Sequence, residues 1–379
     1  MKLSKKAYFV CNEYPFPQDT GGKKRIFLFY QFLSEAFQEV VVVCPRPDLY
    51  VEHEAARETF IFYEPQKTKF HDRFRLLPLF NVYFLSPQTI KIIYDLQKSD
   101  SPNEFFFSHS YLVPRLQRKL SSYSLDLANI ESERYLSLSK LRYGKSKLSS
   151  LLEFVKANYW EKSVIKNAKV IFTCTKYDHK QILGMNPGAV FLPNQYLLSQ
   201  SDFKFSPSKD KVLIFGNWEY LPNIVGLRWF LDKVWKEVIK QNSVATLSIA
   251  GKGSNQMELS SDLLEGCSVL GEYEDLSSMC MEHDLLVFPT SHGAGQQLKV
   301  VEGLFTGRVG ILSSYSYRSV PEELKMLAFE SRSSEEFIFQ IKLFLEDDNL
   351  RHKHEKLSQS IGFKDGYKER LQQIKGIYV

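Results

Sequence analysis

Short, continuously apolar runs recur along this chain, and a stretch with helical spacing follows most of them. A strand with one wet face alternates apolar and polar residues. A strand apolar at every position is buried on both faces, which is the pattern of a parallel sheet covered by helices. The first series joins Ala7–Cys11, a helix from Lys23 to Phe37, then Val40–Cys44, Phe60–Tyr63, Phe105–Phe107, Leu125–Leu127, Val170–Phe172 and Val190–Leu192. Helices are expected over Gln88–Gln97, Tyr111–Leu120, Leu151–Lys166 and Tyr177–Leu183. The second series runs Val212–Phe215, a helix from Leu227 to Lys240, Thr246–Ala250, a polar helix, and Ser268–Leu270. A helix from Asp275 to His283 follows, then Leu285–Phe288, a helix from Gln296 to Thr306, and Val309–Leu312.

Two such series in 379 residues imply two doubly wound α/β domains, because one core seldom serves a chain of this length. The polar stretch Leu197–Asp210 reads as the connection between them. Ser333–Val379 is helical in pattern and closes no strand-helix-strand unit, so it must pack on something else. Expected boundaries are 1–200, 201–355 and a terminal helical segment, 356–379.

Net charge is +5, and the five cysteines, Cys11, Cys44, Cys174, Cys267 and Cys280, have no C-x-x-C spacing. A metal site and a disulfide framework are therefore not expected, and a reducing, cytoplasmic setting is. The mild charge tolerates anionic ligands without calling for nucleic acid. No window approaches the ~18 apolar residues of a membrane span, and the apolar run near the N-terminus is too short for a signal-peptide core. The stretch Lys67–Leu77 is basic and aromatic; as a helix it would align Phe70, Phe74 and Leu77, a face suited to peripheral contact with anionic lipid.

In doubly wound sheets ligands sit at the carboxyl ends of strands, so the loops after strands carry the functional reading. The strongest is Ser291-His292-Gly293-Ala294-Gly295-Gln296-Gln297-Leu298-Lys299-Val300-Val301-Glu302. Backbone amides from Gly293 to Gln297 at a helix start can cradle a diphosphate, with Lys299 to neutralise it. Glu302 is one turn further on the same face and suits vicinal hydroxyls such as a ribose. Gly21 and Gly22 open a helix after the first strand, His109 follows Phe105–Phe107, and Asn217 and Lys252 lie in Gly-bearing loops. The plain alternatives are a solvated pair on an ordinary helix for Lys299 and Glu302, a structural histidine for His109, a mobile turn at Gly21 and Gly22, and ordinary short glycine loops at Asn217 and Lys252.

These residues, taken together, resemble the GT-B glycosyltransferases, in particular the large retaining family numbered 4. The resemblance rests on Gly251-Lys252-Gly253, Val269–Leu276, Phe288-Pro289-Thr290 and Gly293–Leu304, with Phe215–Asn223, Asp126–Ser132 and Leu192-Pro193-Asn194 as further landmarks. It implies two Rossmann-like domains facing across a cleft, the first taking an acceptor and the second a nucleotide-sugar donor. The implied reaction moves a sugar from a nucleotide diphosphate sugar to a glycan, lipid-linked or protein-linked acceptor, with retention and with no metal or other cofactor. It implies that Glu302 binds the ribose, that Lys299 and the Gly293–Gln297 amides hold the diphosphate, and that Gly271-Glu272-Tyr273 meets the base. Gly21 and Gly22 would close over phosphate and sugar, with His109 near the transferred sugar, and the terminal segment would cross back to the first domain. The chain departs from the family where Ala294 replaces the first acid of a two-glutamate motif, where Gln297 replaces an Arg, and where Gly216-Asn217-Trp218 lacks an Arg and a Lys. A catalytically silent partner or glycan-binding subunit, or a nucleotide-sugar epimerase of the same fold, are the alternatives.

Overall fold

The computed structural model describes residues 2–48, 60–69, 71–72, 75–98, 103–117, 120–194, 210–358 and 366–378. Two compact units emerge. The first is Met1–Leu197 with Ala294–Gln296 and Asp365–Val379; the second is Leu198–Gly293 with Gln297–Lys364.

In the first unit the order is β1 (Leu3–Val10), α1 (Gly21–Ala36), β2 (Phe37–Pro45), β3 (Phe60–Tyr63), α2 (Leu79–Phe84) and α3 (Pro87–Gln97). There follow β4 (Asn103–Phe107), β5 (Ser124–Leu127), α4 (Glu131–Leu141), α5 (Gly144–Asn167), β6 (Ile171–Thr173), α6 (Lys176–Leu183) and β7 (Ala189–Phe191). All strand pairs are parallel, in the order β3-β2-β1-β4-β5-β6-β7. Aromatic rings fill one face: Phe29 of α1 meets Phe9, Phe106 and Phe172 at centroid distances of 5.0, 5.9 and 4.9 Å. Each such ring buried contributes about 1.5–3 kcal/mol.

The second unit comprises β8 (Lys211–Phe215), α7 (Leu221–Phe230), α8 (Lys236–Gln241), β9 (Thr246–Ala250), β10 (Cys267–Gly271), α9 (Leu276–Met281) and β11 (Leu285–Phe288). Then come α10 (Leu298–Phe305), β12 (Gly310–Ser313), α11 (Ser314–Tyr317), β13 (Ala328–Ser331), α12 (Ser334–Glu346) and α13 (Asp348–Ser358). Its sheet is also parallel, β10-β9-β8-β11-β12-β13. The last helix, α14 (Gly366–Tyr378), belongs to the first unit. Its Leu371, Ile374 and Tyr378 are buried, and the Tyr378 and Ser124 hydroxyls are 2.5 Å apart.

Strand order reverses between β1 and β4 in one unit and between β8 and β11 in the other. Those two switch points open crevices at the strands' carboxyl ends.

Several expectations are corrected. Among the described residues of Tyr111–Leu120 no α-helix forms: Ser110–Leu112 is one 3-10 turn, Val113 a bend and 114–117 turns. Pro114 contributes to this, since it has no N–H to close a helical hydrogen bond onto the Ser110 carbonyl. The polar helix after β9 is instead two 3-10 turns, Ser254–Gln256 and Ser261–Leu263, the first entered through left-handed Gly253. The helix read from Leu227 to Lys240 begins earlier, at Leu221, and passes through a π turn at Leu231–Trp235. Residues 71–72 form a short 3-10 turn and 75–77 a bend, so the helical face read over Lys67–Leu77 does not form among the described residues. There the Asp72 carboxylate accepts the Lys69 N–H at 2.7 Å and holds the chain in a turn. Phe70, Arg73 and Phe74 lie outside the described residues, as do 197–209 of the proposed connection. Short α2, polar α4 and β13 were not foreseen.

Candidate functional site

In the second unit, β8 delivers Gly216 and β11 delivers Pro289-Thr290 to the same crevice. Lys299, on the second residue of α10, reaches back toward both. Its Nζ donates to Asn223 Oδ1 at 2.9 Å and to Thr290 Oγ1 at 3.4 Å, and lies 6.0 Å from the Trp218 ring centroid. Gly216 leaves room for it: a Cβ there would stand 3.1 Å from Nζ and 3.4 Å from Asn223 Nδ2. The Asn223 amide is fixed at both ends, since Nδ2 donates to the Asn217 carbonyl at 2.7 Å and Oδ1 also accepts from Thr290 Oγ1 at 3.2 Å. Trp218 is buried, with Nε1 on the Ala250 carbonyl at 2.8 Å.

Burial lowers the Lys299 ammonium to about 7. An amine held by neutral acceptors and half stripped of water gains most when an anion arrives, because the anion favours the charged form. Glu302 is half-buried one turn along α10. Burial, and then the Glu302 charge, raise the phenol of Tyr273, whose ring meets Phe215 edge-on at 6.0 Å. Gly271 is left-handed at φ 81°, and a Cβ there would come 2.9 Å from Asn255 Nδ2. Glu272 beside it is exposed.

The loop before α10 is shaped by glycine. Gly293 and Gly295 have φ of 149° and 71°, and a Cβ on Gly293 would stand 2.4 Å from Tyr315 Oη. Gly293, Ala294, Gly295 and Gln296 are half-buried. Gln297 is the cap of α10, but its N–H already donates to Ser319 Oγ at 2.8 Å and its Nε2 to Ser316 Oγ at 3.0 Å. Its place is thus to anchor the loop. Asn217 closes its own turn by accepting the Glu219 N–H at 2.9 Å, and Lys252 pairs with Glu219 at 3.2 Å with both side chains about half exposed. Asn223 and Thr290 were not foreseen as site residues. Their signal is positional: each follows a proline, Pro222 at the start of α7 after the loop from β8 and Pro289 directly at the end of β11.

In the first unit, the crevice between β1 and β4 holds His109. Its ring stacks on Tyr111 at 4.9 Å, and Nδ1 lies 3.0 Å from Ser108 Oγ, which in turn donates to Asn12 Oδ1 at 3.3 Å. That chain is consistent with Nδ1 carrying the proton, leaving Nε2 as an acceptor. Burial lowers the imidazole to about 4, with Glu131 opposing and Arg134 reinforcing the shift. It is neutral near pH 7.

Beside it, buried Glu131 accepts from Arg134 Nε at 2.8 Å and Asn129 Nδ2 at 2.9 Å. The α4 N-terminus has no cap of its own and is capped from α5. Glu161 accepts the Glu131 and Ser132 N–H groups at 2.9 Å each, Ser132 Oγ at 2.7 Å and Ser110 Oγ at 2.8 Å.

Gly21 and Gly22 do start α1, under the Thr20 cap. A Cβ on Gly22 would meet Glu13 Oε1 at 2.4 Å, so a carboxylate stands over this helix start, its pKa raised by burial. Two of the landmark stretches, Asp126–Ser132 and Leu192-Pro193-Asn194, converge on Arg25. It pairs with Asp126, with Nε 3.1 Å from each carboxylate oxygen, and donates to the Leu192 carbonyl at 2.6 Å and Asn194 Oδ1 at 2.9 Å. Among the described residues no cluster of His, Cys, Asp and Glu could hold a metal ion.

Residues 209–347 match the family model described as glycosyl transferases group 1. No curated protein sequence matches the chain. Solved structures share the fold at low identity. TarM matches at 9% identity over 99% of both chains with a TM-score of 0.65. Against a point mutant of S. aureus TarM, solved in complex with fondaparinux, alpha-GlcNAc-glycerol and UDP, the chain spans 58% of that protein's length and 76% of its own, at 11% identity and a TM-score of 0.56. Sucrose-phosphate synthase from Thermosynechococcus elongatus matches at 10% identity over 98% of each chain with a TM-score of 0.65. Anabaena HepE, solved with UDP-glucose, matches at 12% over 98% of this chain and 97% of that one, with a TM-score of 0.59. The fold is GT-B, and the group 1 match over the second unit supports a glycosyltransferase.

Proposed function

We propose that this chain transfers a sugar from a nucleotide diphosphate sugar to a glycan, lipid-linked or protein-linked acceptor, with retention at the anomeric carbon. The observation that carries the reading is Lys299. It is a half-buried amine, lowered to about 7, held by Asn223 and Thr290 at a strand switch point. In this reading residues 201–355 take the donor and residues 1–200 the acceptor, while the terminal segment 356–379 leads back to the acceptor domain, to which its helix Gly366–Tyr378 belongs.

As the donor bond breaks, charge grows on the departing diphosphate. Lys299 and the backbone amides near Gly293 and Gly295 stabilise it, and only interactions stronger at that stage raise turnover. The leaving oxygen takes the acceptor proton on the same face, so no separate protein base is needed and Lys299 supplies the positive charge. Glu302 accepts from the ribose hydroxyls, the Gly271-Glu272-Tyr273 turn meets the base, and neutral His109 accepts one hydrogen bond at Nε2 from a hydroxyl of the transferred sugar. Gln297 and Lys252 take supporting parts, the first through the loop and the second through its pair with Glu219. Uridine donors are the first to test, since TarM and HepE were solved with UDP or a UDP-sugar.

The test is calorimetry with UDP, GDP, ADP and their sugars. One of these families should bind, and Glu302→Ala should weaken that binding by about 1.5–3 kcal/mol, the scale of a lost hydrogen bond to a charged group. Undiminished affinity in folded Glu302→Ala would remove that residue from the donor site.

A further inference from the structure

Helix α5 (Gly144–Asn167) is apolar on two opposite faces. Its inner face buries Ala157, Val164 and Ile165. Its outer face carries Leu148, Leu152, Val155 and Tyr159, with exposures of 59%, 45%, 61% and 71%. Spacings of four, three and four residues keep these on a single line about 16 Å long. Leu76, 84% exposed, extends the patch sideways, where its carbonyl accepts from Trp160 Nε1 at 2.8 Å. Among the described residues of the first unit nothing covers this stripe.

The charges of α5 are sorted as sharply. Both of its acids point inward: Glu153 accepts the Leu79 N–H at 2.8 Å and pairs with Lys156 at 2.6 Å, and Glu161 caps α4. The exposed charged residues of the helix are Lys145, Lys147, Lys162 and Lys166, all cationic. Tyr143, 86% exposed, precedes the helix. With Tyr159 it brackets the stripe with rings whose hydroxyls suit a wet-dry boundary.

We propose that the outer face of α5 docks on an anionic lipid surface. The four-residue apolar line enters the boundary between headgroups and acyl chains, and the lysines extend along the surface to meet phosphate. Pairing with a second copy of this helix would set lysines against lysines with no acid to answer them, so charge disfavours that occupant. The proposal does not depend on the donor site.

Two variants probe it without touching buried groups: Leu152→Ser with Val155→Ser, and Lys145→Gln with Lys162→Gln and Lys166→Gln. The measurement is co-sedimentation of the full chain with vesicles of phosphatidylcholine and phosphatidylglycerol in equal parts, against vesicles of phosphatidylcholine alone. The parent should partition to the anionic vesicles and lose that binding near 1 M salt, where the Debye length falls to about 3 Å. Each variant should bind at least about tenfold more weakly while melting like the parent. Absence of binding, equal binding to neutral vesicles, or parent-like binding by both variants overturns the proposal. So does a parent dimer that Leu152→Ser with Val155→Ser dissolves in the absence of vesicle binding, which would give the stripe to a second copy. Binding of an acidic helical peptide but not of vesicles overturns it too.

Discussion

Lys299 Nζ donates to Asn223 Oδ1 across 2.9 Å, joining the first turn of α10 to the head of α7. Asn223 is itself tied to the Asn217 carbonyl, so the loop after β8 sets where the ammonium stands. Both strand ends of the switch point therefore control one cation.

The space that the ammonium occupies exists because residue 216 has no side chain. Gly216→Ala would place a methyl 3.1 Å from Nζ, and the Gly216 backbone is not in the left-handed region, so the fold should tolerate it. Turnover is expected to fall by roughly ten- to a hundredfold, the scale of a displaced catalytic group, with little change in melting temperature. Gly251→Ala is the contrast. Its Cβ would press 2.1 Å from the Gly216 carbonyl at φ 115°, so protein stability itself should suffer. Parent-like turnover in folded Gly216→Ala would mean that Lys299 is not where catalysis needs it.

Protonation offers a second handle. Folded, Lys299 keeps its proton only below about pH 7, while an unfolded lysine keeps it to about pH 10.4. Between those values the unfolded chain binds more protons, so this residue makes stability rise with pH across the window. Below about pH 7 both states are charged and the cost of burying the charge is fully present. Lys299→Met should therefore melt higher than the parent near pH 6, with the gap closing toward pH 10. A bound diphosphate reverses the shift. Calorimetry near pH 8, in buffers of different ionisation heat, should show proton uptake by the parent on nucleotide binding and none by Lys299→Met. Uptake that survives in Lys299→Met would place the titrating group elsewhere.

His109 is held neutral at about 4 by burial and by its place beside Arg134. Turnover should show no step from it between about pH 5.5 and pH 8, which a general base of ordinary pKa would produce. His109→Ala is expected to lower turnover by about 10²-fold with nucleotide affinity unchanged, and His109→Gln to recover part of the loss. Loss of nucleotide affinity in either variant would make the residue structural.

Much of the architecture was legible because strands buried on both faces leave apolar runs with no alternation. Leu285–Phe288, buried at all four residues, is a strand at the position its run gave, and Val212–Phe215 lies buried within β8. What escaped notice depends on partners remote in sequence. Nothing local marks Arg25 as the hub for Asp126, Leu192 and Asn194, which lie more than a hundred residues away and meet it only through the sheet. The same holds for Glu161, whose capping of α4 from another helix leaves α4 without a local start signal. In the candidate site, the spacing of Lys299 and Glu302 after a glycine loop put both on the start of one helix, and α10 carries them there. Asn223 and Thr290 were not, because neutral amides and hydroxyls gain meaning only beside the amine they hold.

The most direct measurement is the fate of the donor. The chain is incubated with the nucleotide sugar it binds and a panel of glycan acceptors, and nucleotide release and the product's anomeric configuration are followed by NMR. Nucleoside diphosphate should be released in step with a glycoside that keeps the donor's configuration. Release should persist after chelation of divalent ions and fall by about a hundredfold or more in Lys299→Ala, the loss typical of one transition-state charge partner. A glycoside of inverted configuration, conversion of the donor sugar without acceptor, or release that Lys299→Ala leaves intact would contradict the proposed retaining transfer.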